Sequence, residues 1–332
     1  MPRPTPSEAL EAIRIAAAAE RLRGVVRRTP LEPFDAGDPR VELRLKLECL
    51  QETGSFKARG AWNQVAQLTP AERAAGVVTT SSGNHGKALA WAARRAGVRA
   101  TVVMPADAYP NKIQACRELG AEVVLGRDRA EAEELCRALV AAGATLVHPY
   151  DAERTIQGAG TAGLEVAEDW PELDVLVVPV GGGGLIAGCA LAMRQALGGR
   201  VAVIGVEPAG APTLTRALER GEPVALERID TRVQGLCPPA AGRLNTEIGA
   251  AAVHSVRTLA DGPIFAAQAE LVRRGGWTVE PAGAAAVALI LERGLPEELY
   301  AGRGADRRLR VAAIVSGGNP DPEQLAALRG RT

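Results

Sequence analysis

Lys57 stands inside "ETGSFKARG" (52–60), and only four of the chain's 39 basic residues are lysine: Lys46, Lys57, Lys87 and Lys112. Arginine serves almost everywhere a positive charge is wanted. A lysine between Phe56 and Ala58 therefore asks for chemistry that arginine cannot do. Arginine neither releases its proton nor forms an imine; lysine does both once burial or neighbours lower its pKa. The plainer alternative is a solvated lysine on the first turn of a helix.

Three further stretches carry chemistry. "VPVGGGGLIAG" sets Gly181, Gly182, Gly183 and Gly184 between a buried strand and a helix. Their N–H groups and the helix's positive end make a phosphate cradle. No Lys-Ser/Thr follows, so it is not a Walker A loop. Gly182, Gly184 and Ala187 also fit a looser dinucleotide spacing, and Glu207 ends the next strand 25 residues after Gly182. That is where a ribose-binding acid belongs, so an NAD-linked oxidoreductase is a competing reading. "TTSSGNHGKALA" brings Ser81, Ser82, Asn84 and His85 to one helix N-terminus, where N–H groups and hydroxyls hold a carboxylate. A Ser cap beside a solvated His is the bland alternative. In "VSGGNPD", Ser316 follows a buried strand, at the carboxyl end where ligands of open α/β sheets bind. Its neutral hydroxyl could bond a ring nitrogen without requiring a proton there. His148 and His254 lack such company and read as structural.

The elements that position these residues follow a strand, small-residue turn, Ala-rich helix, strand pattern. It is clearest over 76–105 and 174–208. The strand runs are apolar on both faces, which predicts parallel sheets covered by helices. "EVVLG" (122–126), "TLVHP" (145–149) and the run before "SGGN" add strands, and "RAEAEELCRALVAAG" adds a helix. Two α/β units with separate sheets and no low-complexity linker imply a shared cleft. "LERGLPEELYAGRGADRRLR" (291–310) reads as solvated loop and helix end, and the N-terminus as a proline-rich lead, a Ser7 cap and an amphipathic helix. No regulatory domain is expected after "SGGN".

Composition narrows the partners. Net charge is zero, giving no electrostatic case for nucleic acid or an anionic membrane. No apolar run approaches the roughly 18 residues of a membrane span. The N-terminus is not a signal peptide. Cys49, Cys116, Cys136, Cys189 and Cys237 show no paired spacing, which favours reduced thiols and a cytoplasmic location over a zinc site.

A Schiff-base lysine, a phosphate cradle, a carboxylate turn and a ring-nitrogen partner together describe a pyridoxal-phosphate site. With "ETGSFKARGA", "SSGNHG", "MPADAYPNKIQACRELGAEV", "VPVGGGGLIAG", "VEPAGA" (279–284) and "SGGN", the chain resembles the serine/threonine dehydratase and serine racemase family nearly end to end. The resemblance implies the tryptophan-synthase β-subunit-like fold (fold type II). That is two open, twisted α/β domains with mostly parallel sheets: residues 1–76 with 153–332 as the large cofactor domain, and 77–152 as a small mobile one. It implies that Lys57 carries the cofactor as an imine and Phe56 lies near the ring. Asn84 would bond the phenolic oxygen, and Gly181–Gly184 with Leu185 the phosphate. Gly235 would cross one ring face and Ser316 would meet the pyridine nitrogen. Ser81, Ser82, Asn84 and His85 would hold the substrate carboxylate. A homodimer is also implied.

Three departures bear on function. Ser82 stands where many dehydratases of the family have Ala; in the racemases Ser is the second acid/base. Glu207 matches the first ligand of the family's cation site, but "APTLT" replaces the carboxylate expected after it, which puts a divalent or monovalent cation in question. "VQGLCPP" replaces a more polar stretch, so Gln234, Leu236 and Pro238 suggest a β-hydroxy amino acid larger than serine. The expected reaction is α,β-elimination to a 2-oxo acid and ammonia, with Lys57 as the base. A racemase, an NAD oxidoreductase and a non-catalytic ligand-binding paralogue are the rivals.

Overall fold

The computed structural model describes residue 10 and residues 12–330. The Ser7 cap lies outside them, and the helix expected behind it runs Ile15–Leu22.

Among the described residues, ten strands form two sheets. They are β1 (Leu31–Phe34), β2 (Val41–Lys46), β3 (Val77–Thr80), β4 (Ala100–Pro105), β5 (Glu122–Gly126), β6 (Thr145–Leu146), β7 (Val175–Pro179), β8 (Ala202–Pro208), β9 (Ser255–Leu259) and β10 (Leu309–Ile314). One sheet has the order β1-β2-β10-β7-β8-β9, parallel except at β1; the other, β5-β4-β3-β6, is parallel throughout. The unbroken apolar runs have a simple cause. In β7, Val175 and Val177 pack with the Pro281–Leu291 helix, while Leu176 and Val178 pack with the Gly184–Leu197 helix on the other face. A parallel strand covered on both faces has no solvent side to mark with polar residues.

Two segments differ from expectation. "TLVHP" forms a strand only at Thr145–Leu146, with one more ladder bond from Val147 N to the Val78 carbonyl at 2.9 Å; His148–Asp151 then leaves the sheet. Pro149 has no N–H for a ladder, and the His148 Nδ1 accepts from Tyr150 N at 3.3 Å and Asp151 N at 2.8 Å, turning the chain. The 291–310 stretch is not all solvated loop: Glu297–Tyr300 is a 3₁₀ turn, Leu295 and Tyr300 are buried, and Arg40 lies 4.3 Å over the Tyr300 ring.

Parallel connectivity brings the carboxyl ends of the strands to common edges. β2 leads through Glu48 to Lys57, β7 to Gly181–Gly184, β10 to Ser316 and β3 to Ser81–His85. These are the edges where open α/β sheets place ligands.

Candidate active site

Lys57 is the first residue of the Lys57–Val65 helix, and its Nζ donates to the Pro149 carbonyl at 2.7 Å. The side chain keeps part of its surface open to the cleft, yet the surrounding protein desolvates it and lowers its pKa to about 8. The free amine is therefore reached at a lower pH than in a solvated lysine. Nζ lies 5.0 Å from the centre of the Phe56 ring. The helix is held close to its neighbour by glycine: a Cβ at Gly158 would sit 2.5 Å from the Arg59 carbonyl oxygen.

Ser316 is buried next to this start, since its carbonyl accepts the Phe56 N–H at 3.1 Å. Its hydroxyl donates to the Ala282 carbonyl at 3.4 Å. The structure thus brings together residues 56, 57 and 316, far apart in sequence.

Among the described residues, the N–H groups of Gly181, Gly182, Gly183, Gly184 and Leu185 have no acceptor in the protein. Five such donors at the start of a 14-residue helix suit a dianionic phosphate. Gly183 is the helix N-cap with φ +92°, and a Cβ there would lie 2.8 Å from the Asn245 Cβ. Asn245 in turn donates to the Gly182 carbonyl at 2.7 Å. Gly183→Val should therefore tilt the cradle, with cofactor affinity falling by about tenfold or more from left-handed strain alone. Equilibrium dialysis against pyridoxal phosphate, with circular dichroism to show an intact fold, checks this; normal affinity would place the phosphate elsewhere.

The second cradle is the turn after β3. The Ser81 hydroxyl accepts from Gly83 N at 3.3 Å, Ser82 is exposed, and the N–H groups of Ser82, Asn84 and His85 have no protein acceptor among the described residues. The His85 side chain does not face this turn. It is buried, with Nε2 donating to the Val147 carbonyl at 2.9 Å, and burial together with neighbouring Lys57 depresses its pKa to about 3. A neutral imidazole aimed at a carbonyl cannot pair with a carboxylate, so His85 is available to one only through its main chain. Asn84 also differs from expectation: its Nδ2 donates to Glu280 at 2.5 Å and its Oδ1 accepts from Asn319 at 2.8 Å. One N–H of that amide is left for a ligand.

Glu207 is fully buried. Its oxygens accept from Thr213 Oγ1 at 3.0 Å, Leu214 N at 2.7 Å, Thr215 N at 3.0 Å and Thr215 Oγ1 at 2.7 Å. "APTLT" thus supplies hydroxyl and amide donors in place of a second carboxylate, and burial raises the carboxyl pKa against their pull. Each Glu207 oxygen thus has two donors from the chain itself. Among the described residues, no group of three or more His, Cys, Asp or Glu side chains is placed to hold a metal ion.

Sequence reasoning passes over several residues of this region. The Val147–Asp151 loop holds Lys57 and His85 through carbonyls, packs Tyr150 against Gly182, and caps the Arg243–Ala252 helix with Asp151, which accepts from Arg243 N at 3.0 Å and Leu244 N at 2.9 Å. Its one local signal is Pro149, which ends the strand. Lys87 and Lys112 donate to Asn319 at 3.0 and 2.8 Å, and Lys46 is fully buried against Glu165 at 2.6 Å. Scarcity therefore marks all four lysines, not Lys57 alone. His254 lies away from the site, 3.6 Å from Glu298.

A desolvated lysine between two anion-binding helix starts, at the meeting edges of two parallel sheets, defines an α/β enzyme built for an amine substrate and a phosphorylated carbonyl cofactor. The chain belongs to the family described as pyridoxal-phosphate dependent enzymes, whose model matches residues 22–317. It is 38% identical over 313 residues to an L-threonine ammonia-lyase of Thermotoga maritima, covering 93% of this chain and 75% of that one. It is 37% identical over 325 residues to a phenylserine dehydratase of Ralstonia pickettii, covering 94% of each. The fold matches the crystal structure of serine racemase from Dictyostelium discoideum with a TM-score of 0.83 and 34% identity, over 92% of this chain and 97% of the other. This membership overturns the oxidoreductase reading; the four glycines fit the dinucleotide-like spacing without binding a dinucleotide. No helix among the described residues is long and apolar enough to cross a membrane.

Proposed function

We propose that the enzyme is a dehydratase (ammonia-lyase). It converts a β-hydroxy amino acid, L-threonine, L-serine or a bulkier analogue, to a 2-oxo acid and ammonia. The observation that carries this reading is Ser316: the group beside the Lys57 helix start, at the end of β10, is a buried hydroxyl bonded to a carbonyl rather than a carboxylate. Bound pyridoxal phosphate supplies an electron sink for the α-carbon, and a neutral partner at its ring nitrogen keeps that sink weak. A weak sink favours prompt loss of a β-leaving group over a long-lived carbanion.

In this reading Gly181–Leu185 hold the phosphate, Phe56 and Gly235 flank the ring, and Asn84 bonds its phenolic oxygen. The main-chain N–H groups of Ser82, Asn84 and His85, with the Ser81 and Ser82 hydroxyls, hold the substrate carboxylate. Lys57 takes the α-proton as the Cα–H bond breaks. The Cβ–O bond then breaks, and proton and hydroxyl leave as water. The enamine released takes water back and falls to the 2-oxo acid and ammonia. Residues 77–152 act as the small mobile domain. The assembly is a homodimer, and the five unpaired cysteines support a cytoplasmic setting.

Racemisation is the second reading, favoured by one observation: Ser82 is exposed on the carboxylate turn, where it can return a proton from the face opposite Lys57. Chiral chromatography and a 2-oxo acid assay of one reaction separate the two readings. D-amino acid forming faster than 2-oxo acid would overturn the dehydratase. Ser82→Ala should abolish any racemisation and leave elimination within about tenfold, since Ser82 has no part in elimination beyond one hydrogen bond to the substrate. Joint collapse of both activities would make Ser82 a binding residue.

A further inference from the structure

Two rims of the large sheet's loops face the small sheet, and one helix start touches both. Tyr109 is the N-cap of the Pro110–Glu118 helix, and Lys112 lies one turn further on. Lys112 reaches the Asn319 carbonyl on one rim. On the other, the Gln234 Nε2 donates to the Tyr109 hydroxyl at 3.0 Å, linking residues 125 apart in sequence.

Gln234 sits on a firm base. Val233 and Leu236 are buried on either side of it, and the Asp261 carboxylate accepts from Thr231 Oγ1 at 2.6 Å and Arg232 N at 2.7 Å. The next residue, Gly235, has its carbonyl 3.1 Å from where a Cβ on Gly181 would lie, so this turn overhangs the phosphate cradle. Tyr109 follows β4, which pairs with β3 in the register Thr80↔Val103. The Tyr109 segment and the Ser81–His85 turn thus leave the same edge of the small sheet. Tyr109 is 48% exposed and the Gln234 side chain that bonds it is exposed too, so ring surface is left on which a ligand can pack.

We propose that Tyr109, held by Gln234, is the closing wall of the substrate pocket and sets its preference for the β-substituent. The inference rests on the dehydratase reading. A substrate held by its amine at the cofactor carbonyl, in place of Lys57, and by its carboxylate at the turn after β3 would have its side chain left to meet the third wall, which the Tyr109 ring and the Gln234–Pro238 turn supply. The ring favours bulky apolar or aromatic β-substituents, and the hydrogen bond holds the ring across the mouth.

The test uses the holoenzyme and two amino acids without a β-hydroxyl, L-alanine and L-phenylalanine, with binding followed by the visible absorbance of the bound cofactor. Tyr109→Ala should weaken L-phenylalanine by about 3- to 10-fold, the worth of one aromatic contact, and leave L-alanine within about twofold. The ratio of kcat/KM for L-threo-phenylserine over L-serine should fall by the same factor. Tyr109→Leu, which keeps bulk for a core-like fit, should show the same selectivity change in milder form. Tyr109→Phe removes the hydrogen bond from one side and Gln234→Ala from the other, so the double variant should cost clearly less than the two singles added together. Equal effects on both amino acids, or additive effects of Tyr109→Phe and Gln234→Ala, would overturn the proposal. A wild-type enzyme that forms no 2-oxo acid from any β-hydroxy amino acid defeats the dehydratase reading instead, and the alanine-to-phenylalanine binding ratio still decides the role of Tyr109.

Discussion

Replacing Lys57 by alanine should lower kcat by about 10³-fold or more, because one side chain serves as both cofactor anchor and proton acceptor. Lys57→Arg should fare no better: it keeps the charge but neither gives up a proton nor forms an imine. Borohydride reduction of the holoenzyme, followed by peptide mapping, should tag Lys57 alone. A tag on Lys46, Lys87 or Lys112, or activity within tenfold of wild type, would sink the assignment. Lys46 and Lys112 donate at 2.6 and 2.8 Å to the carbonyls of Thr29 and Asn319, and Lys87 at 3.0 Å to the Asn319 side chain, well clear of the Pro149 carbonyl that holds Lys57.

The lowered pKa has a separate signature in the cofactor-free protein. Burial brings the Lys57 ammonium from 10.5 to about 8 in the fold. Below about pH 8 both folded and unfolded chains carry the proton, so this residue adds no slope. Between about 8 and 10.5 the unfolded chain binds a proton that the folded one has lost, so stability rises with pH across that window. Above it the contribution is flat. Urea midpoints of wild type minus Lys57→Met should rise from pH 8 to pH 10; a flat difference would mean that the ammonium is solvated after all.

How much of this was legible in the sequence depends on the range of each contact. The cradle and the carboxylate turn are strand–turn–helix units, and the glycines of "VGGGGL" or the small residues of "SSGNHG" announce them within a dozen positions. The parallel sheets follow from runs such as "VLVVP", apolar on both faces. What stayed hidden are partners joined only by folding. The carbonyl that holds Lys57 is 92 residues away, and Glu280, which holds the Asn84 amide, is 196 away. "VEPAGA" shows that a glutamate is present but not which side chain it meets. Single residues mislead in the same way. His85 reads as a ligand from its neighbours, while its ring, turned into the core toward Val147, answers to a loop that the sequence presents as a strand.

The largest effect on stability should come from Arg59, two residues beyond Lys57. This guanidinium is fully buried and grips two carboxylates at once: Glu48 at 2.7 and 2.7 Å, and Glu165 at 2.7 and 2.8 Å. Lys46, also fully buried, joins Glu165 at 2.6 Å, so two cations balance two anions. Burial pushes the Glu48 carboxyl pKa upward, but the Arg59 charge and hydrogen bonds outweigh it and hold the group ionised. Removing one partner of such a set leaves a desolvated charge behind. Arg59→Met should cost about 3–5 kcal/mol, against 0–1 kcal/mol for an exposed pair. The exposed Arg23–Glu20 pair makes an internal control for that contrast. Arg59→Lys should fall between, since an ammonium cannot fork to two carboxylates. Adding Glu48→Gln to Arg59→Met should restore part of the loss by removing the orphaned charge, an outcome that simple loss of packing would not give. Urea unfolding midpoints, read by fluorescence and circular dichroism together, measure these three variants and an Arg23→Met control. A loss below about 1 kcal/mol for Arg59→Met would show that water or a rearranged Lys46 satisfies Glu48. The same network ties the Lys57 helix to the Glu48 turn and to the Glu153–Asp169 helix, which begins just after the loop that carries Pro149. Arg59→Lys should therefore lower kcat more than it raises KM: the lysine would be held less firmly at the reacting atom, while both anion cradles lie outside the network and stay as they are.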